Sequence, residues 1–300
     1  MHNWETVAKN YGALSQVETR ELQLGDATVM LQFNPERIRS SAAKVDTASL
    51  KARKCFLCSE NQPREQEMIS WHNKYKIQVN PYPIFPRHLT IANLRHVPQS
   101  ILGRVGDMLR LAHDLPEFVL FYNGPKCGAS APDHMHFQAG NKGFLPFCTE
   151  FQSGKVKTEL FAGGKISFCA TSPGHPFVIS CAKAMEVELL AERFIALLPV
   201  RSGELEPMMN VLCWIEQGIY YLAIFPRVKH RPSNYGEGEG QFVLSPASVD
   251  MGQAFAVPVE KDFKSLTAVD VQIMFQELCI SSEGAERLIK LFNSKYPYNE

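Results

Sequence analysis

A proline-rich segment, Asn80 to Pro86, limits the possible folds more than any other part of the sequence. Proline fixes φ and has no backbone N–H group, so three prolines within seven residues exclude a helix. The segment separates two apolar runs, Tyr75 to Val79 and His88 to Ala92, whose β-branched and aromatic residues favour strands. The sequence therefore predicts two strands joined by a proline-rich connection.

Hairpins and helices alternate along the rest of the chain. Val17 to Leu24 and Ala27 to Phe33 are β-rich runs that meet at Gly25-Asp26, which is typical of a hairpin. Ser100 to Ala112 and Ala184 to Leu198 keep the apolar spacing of helices. This alternation predicts an α+β fold with antiparallel sheets and flanking helices. Further predicted elements are strands at 118–122, 166–170 and 177–181, a hairpin formed by 209–215 and 219–225, and helices at 268–278 and 284–292.

The chain is predicted to divide into two related halves. The polar stretch from Gln152 to Gly164 contains several glycines, which favours a boundary there and gives halves of 1–155 and 156–300. A short similarity between Leu89 to Ile91 and Leu222 to Ile224 indicates that the halves share an architecture.

The charge of the chain excludes long-range attraction of polyanions. The 31 basic and 31 acidic residues give a formal net charge of zero, so no global field gathers nucleic acid or an anionic membrane. No signal-peptide pattern precedes the first strand, and charged residues interrupt the apolar stretch from Ala184 to Val200. We expect a cytoplasmic protein that binds neither nucleic acid nor a membrane, so that any phosphate binding is local.

The segment His134 to Gln138 carries the strongest chemical signal. Side chains alternate along a strand, so His134, His136 and Gln138 share one face while Met135 and Phe137 share the other. One interpretation is the polar, solvated face of an ordinary half-buried strand. The other is a functional row of imidazole and amide groups.

A glycine-containing loop, 123–133, precedes this strand. Gly124 and Gly128 allow backbone amides to approach a phosphate closely, and Lys126 and Ser130 add side-chain donors. The loop favours the functional interpretation of the histidine strand, with Asn123, Lys126, Gly128 and Ser130 as candidate substrate-binding residues.

In this region the sequence resembles the histidine triad superfamily. The resemblance is to the branch of galactose-1-phosphate uridylyltransferases, diadenosine tetraphosphate phosphorylases and GDP-galactose phosphorylases, in which a His-x-His-x-Gln segment follows an Asn/Gly-rich loop. It implies two histidine-triad-like halves, the second degenerate. It also implies that His136 attacks the α-phosphorus of a nucleoside diphosphate compound to form a nucleotidyl-histidine, which an acceptor phosphate then resolves. Gln138 would bind a phosphoryl oxygen.

Two alternatives to a nucleotidyltransferase or phosphorylase stay open. A dinucleoside polyphosphate hydrolase would use water in place of the phosphate acceptor. A non-catalytic nucleotide-binding protein or a zinc-stabilised interaction module would retain the histidine strand without using it. Gln138 favours transfer, because an amide cannot protonate a leaving group as a third histidine could.

Cys55 and Cys58 have the spacing of half a zinc site. A redox pair and two buried free thiols are the alternatives. The continuation to Arg64 resembles the uridylyltransferase run Cys-x-x-Cys-x-x-Asn-x-x-Arg, and this resemblance implies that His96 and His134 complete a structural Zn²⁺ site.

Further substrate contacts come from the resemblance. Asn80 occupies the place where relatives hold ribose hydroxyls, and Arg37 and Arg39 resemble arginines that bind phosphate. Arg227 and Lys229 match, more loosely, a region that contacts the acceptor. The resemblance gives His88 a structural role, whereas His72, His113, His175 and His230 are predicted to be surface or capping residues.

Overall fold

The computed structural model describes residues 4–38 and 47–297 of the chain. Within these ranges the chain alternates hairpins with helices. In chain order the strands and α-helices are α1 (Glu5–Ala13), β1 (Glu18–Leu24), β2 (Ala27–Phe33), α2 (Thr47–Ala52), β3 (Met68–Trp71), β4 (Tyr75–Val79), β5 (His88–Asn93), α3 (Val105–Asp114), β6 (Phe118–Asn123), β7 (His136–Asn141), α4 (Pro146–Gln152), β8 (Glu159–Phe161), β9 (Ile166–Phe168), β10 (Phe177–Cys181), α5 (Ala184–Ile195), β11 (Met209–Glu216), β12 (Ile219–Pro226), α6 (Ser248–Met251), β13 (Ala254–Val257), α7 (Glu260–Ser265), α8 (Ala268–Leu278) and α9 (Ser282–Lys295).

Ten strands form one sheet in the order β3-β4-β5-β7-β6-β11-β12-β10-β9-β8. From one edge, the first five strands follow the order β3-β4-β5-β7-β6. From the opposite edge, the other five strands follow the equivalent order β8-β9-β10-β12-β11. In each repeat a helix, α3 or α5, connects the third strand to the fourth. The two inner strands, β6 and β11, pair antiparallel and join the repeats. The predicted α+β fold with two histidine-triad-like halves is therefore confirmed.

The short similarity that suggested two halves does not follow this repeat. Leu89 to Ile91 lie in β5, the third strand of the first half, whereas Leu222 to Ile224 lie in β12, the last strand of the second. The strand that matches β5 in position is β10. The similarity in sequence therefore joined strands that are not equivalent.

Different layers cover the two faces of the large sheet. Helices α3, α5 and α9 pack on one face through an apolar cluster that includes Met108, Phe194 and Phe292. The other face meets the three-stranded sheet β1-β2-β13 together with α4, α6, α7 and α8. The predicted hairpin from Val17 to Phe33 is present as β1 and β2, and β13 adds to it in parallel from far along the chain.

The predicted helix from Ser100 begins later than expected. α3 starts at Val105, because the preceding residues are held by the carboxylate of Glu206. This carboxylate accepts hydrogen bonds from the backbone N–H of Ile101 at 2.7 Å and the hydroxyl of Ser100 at 3.2 Å. The predicted helix at 268–278 has the same bounds as α8.

No helix in the described part of the chain is both long and apolar enough to span a membrane.

Candidate active site and metal centre

Three neighbouring strands, β4, β5 and β7, align the side chains of one sheet face in rows. The antiparallel registers place one residue of each strand side by side, so the face forms a grid. The rows are Lys76-Ala92-His136 and Gln78-Thr90-Gln138, and Asn80 follows beside His88 and Gly140.

A cavity of about 660 Å³ lies over this grid. Its floor includes Gln78, His136 and Gln138, and its opposite side includes Ala256 of the small sheet. This volume is in the range of small-molecule and cofactor sites. Other walls come from the N-terminal residues Trp4 and Thr6, the cysteine loop (residues 55–66) and the segments 230–231 and 243–250.

His136 is held in a single tautomer at the start of β7. Its Nδ1 lies 2.8 Å from the carbonyl oxygen of His134, which can only accept a hydrogen bond. Nδ1 therefore carries the proton, and Nε2 keeps its lone pair. The amide oxygen of Gln99 accepts from the His136 backbone N–H at 2.8 Å and fixes the strand at this point. Burial lowers the pKa of His136 to about 4, so the ring is neutral near pH 7.

A chain of hydrogen bonds orients the amide of Gln138. The backbone N–H of Ile84 donates to Nδ1 of His88 at 3.1 Å, so Nε2 of His88 carries the proton. That group donates to Oε1 of Gln138 at 3.0 Å, and Nδ2 of Asn80 donates to the same oxygen at 3.2 Å. Because Oε1 accepts two hydrogen bonds, the NH₂ group of Gln138 is available on the cavity side as a donor.

The imidazole of His88 contacts other residues of the protein and does not line the cavity. Its side chain is almost fully buried, with both ring nitrogens hydrogen-bonded to the chain. Burial and the nearby Arg37 guanidinium lower its pKa to about 3. These contacts agree with the structural role expected from the sequence.

The four predicted metal ligands meet at one point. Sγ of Cys55 lies 3.3 Å from Nδ1 of His134, and Sγ of Cys58 lies 3.2 Å from Nδ1 of His96. All four candidate ligand atoms are within 4.8 Å of one another. These distances and the two-sulfur, two-nitrogen donor set fit a tetrahedral ion. Cys55, Cys58, His96 and His134 could therefore hold a metal.

Hydrogen bonds from neighbouring residues orient the candidate ligands of this cluster. Nε2 of His134 donates to the carbonyl of Asn93 at 2.8 Å, which leaves Nδ1 with a lone pair toward the two thiols. Such a hydrogen bond on the opposite ring nitrogen is usual for metal-binding histidines. Asp133 accepts from Arg53 at 2.7 Å and lies 3.9 Å from Nε2 of His96.

The loop 123–133, which lies between β6 and β7, contacts helix α6. Oδ1 of Asn123 accepts from the backbone N–H and the hydroxyl of Ser248, at 2.8 and 2.6 Å. Gly128 has φ of +93°, and a Cβ there would meet Cβ of Ala247 at 2.4 Å. Asn123, Gly128 and Ser130 line the cavity, whereas Lys126 is exposed and lies outside its lining. Phosphate binding by this loop stays a prediction.

Arg37 and Asp250 lie together in the cavity wall. Arg37 donates through Nη1 to the carbonyl of Tyr82, while its Nε has no partner among the described residues. Burial lowers the pKa of Arg37 to about 10 and raises the pKa of Asp250 to about 7. Arg39 lies outside the described residues.

Asn80 contributes to the cavity mainly by fixing its neighbours. Nδ2 donates to Thr90 as well as to Gln138, and Oδ1 accepts from the backbone N–H of Tyr82 at 2.9 Å. One lone pair of Oδ1 is left for a ligand. Contact with a ribose hydroxyl therefore stays a prediction.

The two basic residues predicted near the acceptor have other roles. Arg227 is buried and donates to Asn210 at 2.6 Å and to the carbonyl of Pro246 at 3.0 Å. Lys229 pairs with Glu277. Neither lines the cavity.

The structure adds cavity residues that the sequence did not reveal. His230 and Arg231 line the cavity, although His230 was expected to be a surface or capping residue. Burial and then Arg231 lower the pKa of His230 to about 4. Gln99 and Gln78 also contact the site or its floor. The strand register and the folding of distant loops bring them there, and no local spacing motif marks them.

The strands described in the second half carry no counterpart of the histidine row. β12 occupies the position that β7 has in the first half. On the face toward the small sheet it carries Tyr221, Ala223 and Phe225, which pack in the apolar cluster. The described site chemistry therefore belongs to the first half, with walls supplied by the second.

The fold and the site together define an α+β protein of two repeated halves, with a histidine strand and a candidate metal centre in the first half. The yeast Ap4A phosphorylase Apa2 has a similar structure at 17% sequence identity and a TM-score of 0.58, covering 92% of this chain and 94% of that chain. Its complex with Ap4A matches at 15% identity and a TM-score of 0.59, covering 92% and 97%. A domain of unknown function (DUF4922) matches residues 1–141. No curated protein matches the chain by sequence.

Proposed function

We propose that this protein transfers a nucleotidyl group from a nucleoside diphosphate compound to a phosphate-bearing acceptor, with His136 as the nucleophile. One observation carries the proposal: the available Nε2 lone pair of His136 and the available NH₂ donors of Gln138 lie two residues apart on the cavity face of β7. A nucleophile beside a fixed donor is the arrangement that attack on a phosphoryl group requires.

Two displacements complete the reaction. In the first, Nε2 of His136 forms a bond to the α-phosphorus, and the bond from that phosphorus to the bridging oxygen breaks. In the second, an oxygen of the acceptor phosphate attacks the phosphorus, and the nitrogen–phosphorus bond breaks. Gln138 stabilises the negative charge that develops on a phosphoryl oxygen. The leaving phosphate needs no proton, which suits an amide in this position.

The substrate class follows from the size and charge of the cavity. A volume of about 660 Å³ accommodates a nucleotide and part of a second phosphate-bearing group. Arg37, His230 and Arg231 line it, and the Nε donor of Arg37 has no partner among the described residues. We infer that these residues bind the leaving or accepting phosphates. Dinucleoside polyphosphates, such as the Ap4A in complex with the yeast phosphorylase, and nucleotide sugars are the candidate substrates.

We also propose that the ion held by Cys55, Cys58, His96 and His134 is Zn²⁺. Two cysteines and two histidines form the donor set of structural zinc sites. When bound, the ion would supply structural cross-linking rather than reactivity. It would link the cysteine loop and His96, which follows β5, to His134, two residues before His136.

The same reasoning supports a division of roles between the halves. We propose that residues 1–155 supply the nucleophile and the metal site, and that 156–300 form a degenerate half. The absence of a histidine row from β12 supports this division.

Product analysis with and without inorganic phosphate tests this function. Dinucleoside polyphosphates and nucleotide sugars are offered to the wild type, and phosphorolysis is expected to exceed hydrolysis. His136→Asn should remove turnover, whereas His113→Asn, at an exposed position of α3, should leave it unchanged. Hydrolysis that is indifferent to phosphate would select the hydrolase instead, and nucleotide binding without turnover would select a non-catalytic protein.

A further inference from the structure

Gln78, in the floor of the cavity, has a side-chain amide without partners. It is 3% exposed, and neither Oε1 nor Nε2 has a hydrogen-bond partner among the described residues. Burying an amide without satisfying it is unfavourable, so native proteins keep few such groups. Its position in the cavity lining indicates that the missing partner is a ligand.

The strand register sets the distance from Gln78 to the reaction centre. Gln78 on β4, Thr90 on β5 and Gln138 on β7 lie side by side in one row. Adjacent strands are separated by about 4.8 Å, so Gln78 is roughly 10 Å from Gln138. A mononucleotide whose phosphate is at Gln138 spans such a distance from phosphate to base.

The cysteine loop forms the wall on this side of the cavity. Lys76, two residues before Gln78 on the same face, donates to Ser59 at 2.9 Å and to Gln62 at 2.7 Å. These bonds hold the loop over β4. Phe56, Leu57 and Pro63 of the loop line the cavity, and such apolar surfaces suit the faces of a flat heterocycle.

We propose that Gln78 determines nucleobase specificity by hydrogen bonding to the base edge. The inference rests on the proposed nucleotide substrate. A primary amide offers one donor and one acceptor side by side, which matches an adjacent acceptor and donor on a base, as in adenine N6 and N7. Both amide atoms are closed off from water in the free protein. Three rotatable side-chain bonds let the amide turn toward the base as it binds.

Binding measurements on Gln78→Met test this proposal. Titration calorimetry gives the affinities of AMP, GMP, UMP, CMP and ribose 5-phosphate for the wild type and the variant. The wild type should prefer one nucleotide, and the variant should bind that nucleotide roughly 10- to 100-fold more weakly, because two base contacts are lost. Ribose 5-phosphate, which has no base, should bind equally to both proteins.

Thermal unfolding of the free proteins gives a second readout. Gln78→Met removes a buried amide that has no partner, so its melting temperature should rise by roughly 2 °C or more. A purely structural role for Gln78 would predict a fall. Gln253 is the matched control, because its buried amide also lacks partners among the described residues but lies outside the cavity lining. Gln253→Met should raise the melting temperature without changing nucleotide affinity.

The outcomes separate this inference from the proposed function. Nucleotide affinity that is unchanged in Gln78→Met, or an equal loss for ribose 5-phosphate, would overturn the role of Gln78 and leave the reaction at His136 standing. A wild type that binds none of the nucleotides would overturn the proposed function and this inference together.

Discussion

At the scale of single residues, hydrogen-bond polarity defines the proposed active centre. Two donors, from His88 and Asn80, converge on Oε1 of Gln138 and turn its NH₂ group to the cavity side. By the same logic Nδ1 of His136 carries a proton, because it donates to the carbonyl oxygen of His134. Each assignment follows from a partner that can only donate or only accept.

The polarity of Gln138 leads to a prediction about charge. Gln138→Glu retains an oxygen for His88 and Asn80 but directs a second carboxylate oxygen toward the phosphoryl group. Its kcat/KM should fall below that of Gln138→Ala, which should itself lose roughly 10²-fold or more. Steady-state kinetics of the two variants make this comparison. Equal activity of Gln138→Glu and the wild type would contradict the assigned orientation.

The buried imidazole of His88 predicts a pH effect on stability. Its pKa is lowered from 6.5 to about 3, so the unfolded chain takes up a proton below about pH 6.5 while the native state does not. The native state should therefore lose stability as pH falls. Between about pH 7.5 and about pH 5 the wild type should lose about 2 kcal/mol more than His88→Gln.

Urea unfolding of both proteins at the two pH values measures this difference. The comparison uses the change with pH and not the absolute stability, because the substitution also removes two hydrogen bonds. Parallel pH dependences of the two proteins would show that His88 is not held neutral in the native state.

Local spacing explains which site residues could be predicted. His136, Gln138 and the pair Cys55 and Cys58 stand in short motifs whose chemistry is visible without a fold. Gln78 and His230 gave no such signal, because strand pairing and distant loops determine their positions. Lys126 shows that closeness in sequence can also mislead, since this residue is near the histidine strand in the chain but is exposed in the fold.

At the scale of elements, the cysteine loop connects the candidate metal site to the cavity. Cys55→Ser should remove the ion, lower the melting temperature and weaken nucleotide binding, because Phe56 and Leu57 lie in the same loop and line the cavity. Metal analysis of the wild type should find about one zinc per chain. Cys181→Ser, at a half-buried thiol outside the cluster, is the control and should keep the ion. A metal-free wild type with full activity would refute the zinc assignment.

Patterns within elements were predictable, whereas their ends depended on tertiary contacts. The proline-rich connection and the hairpin of β1 and β2 follow from local residue preferences. The start of α3 does not, since Glu206, far along the chain, holds Ser100 and Ile101 outside the helix. The histidine strand also begins at His136 rather than His134, because His134 turns its ring to the cysteine loop.

At the scale of the whole molecule, a buried polar network links the halves. Arg227 donates to Asn210, whose amide donates to Asn123 at 3.1 Å and to the carbonyl of Cys127 at 2.7 Å. The network thus runs from the second half to the loop before the active strand. Its position explains why an arginine expected near the acceptor is inaccessible to ligands.

Arg227→Lys should destabilise the protein by about 3 kcal/mol, because lysine cannot satisfy the carbonyls that the guanidinium binds. Chemical denaturation measures this loss, with Arg64→Lys at an exposed position as the control. A variant as stable as the wild type would show that the network contributes little to joining the halves.

The repeat of the halves could be predicted in outline only. The polar stretch from Gln152 to Gly164 and the family resemblance indicated two halves, but the pairing of β6 with β11 joins residues about 90 positions apart and has no local sequence signal. The second half also lacks the histidine row, so no repeated motif marks β12 as the counterpart of β7.

The nucleophilic role proposed for His136 requires that its ring becomes covalently nucleotidylated. The most direct measurement is incubation with an α-labelled nucleoside diphosphate compound without acceptor, followed by peptide mapping of the labelled protein. Acid-labile label should appear on the peptide that contains His136, disappear when inorganic phosphate is added, and be missing from His136→Asn. Label that persists in His136→Asn, or turnover of that variant at the wild-type rate, would show that His136 is not the nucleophile.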